Sequence, residues 1–222
     1  MTLDSSKILG CIGAILMLIG SLVTSYTFGI LDLVGVILVL VALNGLANNY
    51  KERGIFTNAL YSLVAGIVGV VGAVAAALYI VFDTTILTSL LQKLYPSWNG
   101  SWSTISSLSG LTPNTSNITA SDAMPIISAL FLVLVVLWIF TIIAAFFARR
   151  SLKALSAKAS VGLFSTAALL LFIGAFLTII LIGFLLIWIA VLLIAIAFFQ
   201  MKPQPEQPVA TVAPSPSTPT PV

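Results

Sequence analysis

Apolar positions fill most of this chain in long unbroken runs, and the charged residues mark where the runs stop. Between Lys7 and Lys51 the only charge is Asp32, and between Lys158 and Lys202 there is none. Two shorter uncharged windows run from Arg53 to Asp83 and from Asp122 to Arg149. A bilayer core about 30 Å thick needs about 20 helical residues, so each shorter window holds one span. Each longer window would reach about 64 Å as one helix and must therefore fold back as a hairpin. The pattern predicts six spans over residues 8–27, 30–47, 56–82, 125–148, 159–179 and 182–201. The first hairpin is expected to turn in the segment TSYTFG at 24–29, and the last near Leu181–Gly183. Unpaired backbone groups are too costly in hydrocarbon for anything but helices or closed barrels, and continuous apolar runs lack the alternation of barrel strands. The expected fold class is an all-α integral membrane bundle of six transmembrane helices.

The hydrophilic segments complete the organisation. Residues 83–124 form an outer loop in this scheme, and 203–222 a disordered, Pro-rich cytoplasmic tail. In the loop, Ile86, Leu87, Leu90, Leu91 and Leu94 recur at helical spacing, followed by Tyr95, Trp98 and Trp102. Aromatics concentrate at headgroup level, so this stretch reads either as a distinct interfacial helix or as a fraying extension of the third span. The polar run after Trp102 carries too little apolar surface to pack a core. Pro125 falls just inside the fourth span, with Ser121 or Asp122 as candidate N-caps. The tail holds seven of the ten prolines; its PxxP spacings could dock in an aromatic groove, but low complexity makes such spacing common and a solvated tail without a partner is the favoured reading.

Composition agrees with the pattern: 60% of the 222 residues are hydrophobic and 7% charged, with no histidine and a single cysteine. A soluble surface carries about a quarter charged residues. No disulfide framework or Cys/His zinc site can be built, and no nucleophile elbow, phosphate loop or acid pair appears. The expectation is no catalytic residue, no cofactor and no metal. Cys11 follows Ile8-Leu9-Gly10 as in a lipoprotein box, yet the apolar stretch comes after it, so the segment reads as a first span. Charge also sets orientation. With the N-terminus in the cytoplasm, Lys7, Lys51, Arg53, Arg149, Arg150, Lys153, Lys158 and Lys202 lie inside and only Lys93 outside. The loop placed outside carries three glycosylation sequons, at Asn99, Asn114 and Asn117.

Within the spans, Ser62, Gly66, Gly69, Ala73 and Ala76 form a smooth stripe of small residues. Such stripes let helices approach closely where lipid offers no hydrophobic drive, so this is a candidate packing face, with pore lining or dimerisation as the functional alternative. Asp32 is the one acid within the spans, a candidate ion or proton site. It lies three residues past Gly29, where water and the positive end of the second helix can stabilise it without any function. Asn44, Asn48, Asn49, Thr57 and Asn58 gather around the turn between spans two and three. The two hairpins look related: a shift of about 154 positions aligns Leu16, Gly20, Thr24 and Gly29 with Leu170, Gly174, Thr178 and Gly183. Both hairpins run the same way, so any repeat is parallel rather than inverted.

Three segments carry a family resemblance: KILGCIGAILMLIG at 7–20, GIFTNALYSLVAGIVG at 54–69 and FSTAALLLFIGAFLTIILIGFLLIWIAVLLIAIAFF at 164–199. Together they resemble an archaeal multi-span membrane family catalogued as domain of unknown function 996. The resemblance covers most of 1–202 and implies an archaeal cell membrane; it brings no activity or site residue. In the family the last span often carries an acid, whereas Trp188, Ile189, Ala190 and Val191 are neutral here. The residues are those of a structural, assembly or interaction component rather than an enzyme. A small channel or transporter with a polar path near Asp32 is the alternative, and an intramembrane enzyme lacks the material. The expected partners are the lipid bilayer, with other membrane proteins or a second copy as candidates, and no nucleic acid.

Overall fold

A computed structural model describes residues 2–27, 29–82 and 84–202 of the chain. The expected tail at 203–222 lies outside the described residues. Seven α-helices account for nearly all of the rest: α1 (Leu3–Thr27), α2 (Ile30–Asn49), α3 (Arg53–Phe82), α4 (Thr84–Leu94), α5 (Ala120–Ala159), α6 (Leu163–Leu177) and α7 (Ile182–Gln200). All but α4 are long and apolar enough to cross a membrane, so the protein is an integral membrane bundle of six helices.

The six spans alternate in direction and close into a ring. Going round it, α1 touches α2, then α3, α5, α6 and α7, and α7 returns to α1. The α1–α2 and α3–α5 seams are the most extensive, and the α2–α3 seam the least. Small residues set the close seams. A Cβ on Gly13 would stand 2.7 Å from the Gly35 carbonyl oxygen across the α1–α2 seam, closer than any real side chain can come. In α6–α7, Gly174 and Gly183 meet backbone to backbone in the same manner.

The start of α1, the α2–α3 turn, the end of α5 and the end of α7 share one end of the bundle, called basal below. Lys7 Nζ donates to the Met201 carbonyl at 2.6 Å, and Lys158 pairs with Glu52 at 3.5 Å. The densest core sits there. Leu46, Ile55, Leu155, Phe164, Phe198 and Met201 are fully buried, and the rings of Phe164 and Phe198 meet edge to face at 5.1 Å. Phe198 lies directly on Gly10 of α1, where a Cβ would meet its Cε1 at 2.5 Å.

Several boundaries differ from the hydrophobic pattern. No glycine or proline interrupts the chain from Ile126 to Ala159, so α5 runs 40 residues without a break. The fifth span expected from 159 therefore starts on the last residue of α5, and α6 begins at Leu163 after Ser160 turns the backbone left-handed at φ 55°. The N-cap of α5 is Thr119 rather than Ser121 or Asp122. Its hydroxyl and the Asp122 carboxylate bond reciprocally to backbone N–H groups, a capping box. The hairpin turns are also unlike each other. Gly29 supplies the left-handed residue in the first (φ 77°), but in the last Leu181 does so (φ 65°), while Gly183 packs inside the seam. Two aligned glycines thus do different work.

Beyond the end opposite the base, α4 (Thr84–Leu94) follows α3. The polar run after it is folded rather than loose. Trp102–Leu108 and Thr115–Asn117 are short 3-10 helices, and the chain is pinned to α4 by Asn114 N–H donating to the Leu94 carbonyl at 2.7 Å. Hydrogen bonds replace a core here: Trp98 is buried, donates to Thr104 Oγ1 at 3.2 Å and meets Trp102 edge to face at 6.0 Å. Lys93 forms an ion pair with Asp122, fastening α4 to the start of α5.

Candidate functional site

The ring of helices leaves a cavity of about 190 Å³ towards which all six spans contribute. Ala14 and Met17 come from α1, Val39 and Leu43 from α2, and Leu63 from α3; α5, α6 and α7 add Leu152, Leu171 and Val191. Leu43, Leu152 and Ile194 belong both to this lining and to the basal core, so the core forms the floor. The local cause is ring geometry. Six helices of ordinary diameter enclose a centre that small and branched side chains do not fill.

The chemistry of the lining is narrow. Its only polar side chains are the hydroxyls of Ser62 and Ser151. Ser151 is buried and already donates to the Ile55 carbonyl at 2.6 Å, tying α5 to the start of α3. A water needs two to four polar partners to stay in a cavity, and apolar voids of comparable size remain dry. The centre can accept an apolar group; it cannot hydrate an ion.

Of the candidate residues singled out in the sequence, Ser62 lines this cavity and the others lie outside its lining. Asp32 is the third residue of α2 and half-buried in the α1–α2 seam, where a Cβ on Gly20 would meet its Oδ1 at 2.7 Å. Its charge thus faces α1 and the positive end of its own helix, away from the lining. At the base, Asn44, Asn48, Asn49 and Thr57 are exposed on the outer surface. Thr57 donates to the Arg53 carbonyl at 3.0 Å and Asn58 to the Gly54 carbonyl at 2.6 Å, each serving its own helix. The cavity lining is apolar apart from the hydroxyls of Ser62 and Ser151.

Of the small-residue stripe, Ser62 lines the cavity and Gly69 is buried against α5, where a Cβ would stand 2.6 Å from that of Phe140. Ala73 and Ala76 are half-buried, and Gly66 has open space where a Cβ would be. Tyr61 and Phe147 close the same seam edge to face at 5.5 Å. Two sequon asparagines, Asn99 and Asn114, are exposed beyond the membrane segments. Asn99 Oδ1 accepts from Ser101 N–H and Thr104 Oγ1, each at 3.0 Å, and Asn114 Oδ1 accepts from Ser116 N–H at 3.1 Å and from its hydroxyl. The Asn117 side chain lies outside what is described. The cavity itself was not visible in sequence, since its lining residues are spread over six helices and look like any other apolar positions.

A family model described as protein of unknown function (DUF996) matches residues 31–192. The chain is also similar to an uncharacterized protein of the archaeon Methanocaldococcus jannaschii, 29% identical over 202 residues that cover 90% of this chain and 94% of that one. No solved structure matches the chain.

Proposed function

The chain belongs to the DUF996 family, and from that premise we propose that it is a non-conducting structural or assembly component of the cell membrane, with both termini in the cytoplasm. One observation carries this reading: the centre of the ring is apolar, and Asp32 sits in a seam outside it. A conduit needs polar groups spaced along about 30 Å of hydrocarbon. A packing component needs only matched faces and a presented surface. The small residues of α1–α2, α3–α5 and α6–α7 supply the faces, and α4 with its two 3-10 helices supplies a folded cap for a partner or a second copy.

Purified protein in sealed vesicles tests this directly. Proton and monovalent cation flux, followed by entrapped dyes under an imposed gradient, is expected to equal that of empty vesicles. A reproducible flux that disappears in Asp32→Asn would reject the structural reading in favour of a small channel or transporter.

A further inference from the structure

At the basal rim a second recess opens between α5 and α6, apart from the central cavity. It measures about 200 Å³ and is lined by Arg149, Lys153, Ser165, Thr166, Ala168 and Leu169. Arg149 and Lys153 are four residues apart on α5 and so project from one face. Ser165 and Thr166 lie in the first turns of α6, whose partial positive charge adds to that of the two cations. Neither cation pairs with a carboxylate among the described residues, whose ion pairs are Lys93–Asp122 and Lys158–Glu52. The Arg149 guanidinium is instead held over the Phe172 ring at 4.9 Å, which fixes its position while leaving its donors for another group.

What lies beside the recess identifies the class of ligand. Leu169, part of its lining, begins an exposed apolar row with Ile173 and Phe176 that follows α6 away from the base. A cationic, hydroxyl-lined recess thus continues directly into an apolar strip on the membrane-facing surface. We propose that this recess binds the phosphate headgroup of an anionic membrane phospholipid, with one of its chains laid along Leu169, Ile173 and Phe176. Arg149 contacts the phosphate through two parallel N–H donors, Lys153 adds a point charge, and the Ser165 hydroxyl donates to a remaining oxygen, beside Thr166, whose hydroxyl donates to the Gly162 carbonyl at 3.5 Å. The central cavity, lined by apolar side chains, has no comparable means of holding a headgroup.

The test uses the full chain in nanodiscs of mixed phosphatidylcholine and phosphatidylglycerol, with lipids retained after transfer to mild detergent counted by native mass spectrometry. The parent is expected to retain phosphatidylglycerol over phosphatidylcholine. The double variant Arg149→Gln/Lys153→Gln should lose retention by roughly thirtyfold, the combined effect of two cations at a membrane surface. Lys153→Gln alone, an exposed change that leaves the Arg149–Phe172 stacking in place, should lose roughly fivefold and covers the case in which the double variant misfolds. Lys202→Gln, a basal cation outside the recess, should retain lipid as the parent does. Equal retention in parent and Lys153→Gln, or an equal loss in Lys202→Gln, would overturn the proposal. So would displacement of the lipid by inorganic phosphate at equal concentration, because the recess would then be a phosphate site with no use for the chain.

Discussion

A single methyl group separates tolerated from disruptive positions in this bundle. At Gly13 a side chain would drive into the Gly35 carbonyl, which is backbone and cannot swing away. Gly13→Val is therefore expected to destabilise the bundle by ~1–3 kcal/mol, as overpacking does, read as a lower melting temperature in detergent. Gly72 has nothing within 4 Å of the same position. Gly72→Ala should leave the melt unchanged or raise it slightly, since alanine is the better helix former by ~1 kcal/mol; a fall as large as that of Gly13→Val would show that Gly72 faces a partner. Asp32 belongs to the same scale. Asp32→Asn keeps the side chain's shape and an acceptor oxygen and removes a charge whose helix-dipole interaction is about 0.3–1 kcal/mol, so the variant is expected to insert and fold like the parent, checked by helicity and monodispersity in detergent.

Helix termini decide the elements. The Thr119–Asp122 box starts α5 and, through Lys93, fastens α4 to it. The hydrogen bond from Lys93, followed by those from the Thr119 backbone and side chain, holds the Asp122 carboxyl down to about 2. A carboxyl depressed in the folded state stabilises above its unfolded value of about 3.9 and loses that contribution as pH falls towards the folded value. Fluorescence of the cap tryptophans, with Trp138 and Trp188 replaced by Phe, is thus expected to change as pH drops from ~4 to 2. Asp122→Asn should abolish that step and start from the loosened state at neutral pH. The Thr-x-x-Asp spacing is legible in sequence, but a capping box is short, and Pro125 at a first-turn position is equally compatible with an N-cap at Ser121 or Asp122. The 3-10 helices had no such signal, because they are held by hydroxyl and amide hydrogen bonds of Asn99, Thr104 and Asn114 rather than by a periodic apolar pattern.

Across the whole molecule, eight of the nine Lys and Arg residues lie at the basal end and Lys93 at the other. The proposed orientation, with the base in the cytoplasm, follows the positive-inside bias and is open to a direct test. With Cys11 replaced by Ala, cysteines introduced at the exposed positions Ser107 and Ala157 are expected to react from opposite sides. An impermeant maleimide should label Ser107→Cys in intact cells and Ala157→Cys only after permeabilisation. Labelling of both in intact cells would break the alternation of the six spans.

Spans, helical class and the end-to-end charge bias were all determined by sequence, because each depends on the local balance between apolar length and charge. Lipid enforces that balance residue by residue, whatever the neighbours. The continuity of α5, the closed ring, the seating of Asp32 against Gly20 and the two basal and central recesses were decided only by tertiary structure. Each depends on which helix faces which, and between helices in lipid the choice rests on close steric fit, as where Gly13 meets Gly35 or Phe198 covers Gly10. Hydropathy is blind to such fit, since a leucine facing lipid and one lining a cavity are written with the same letter.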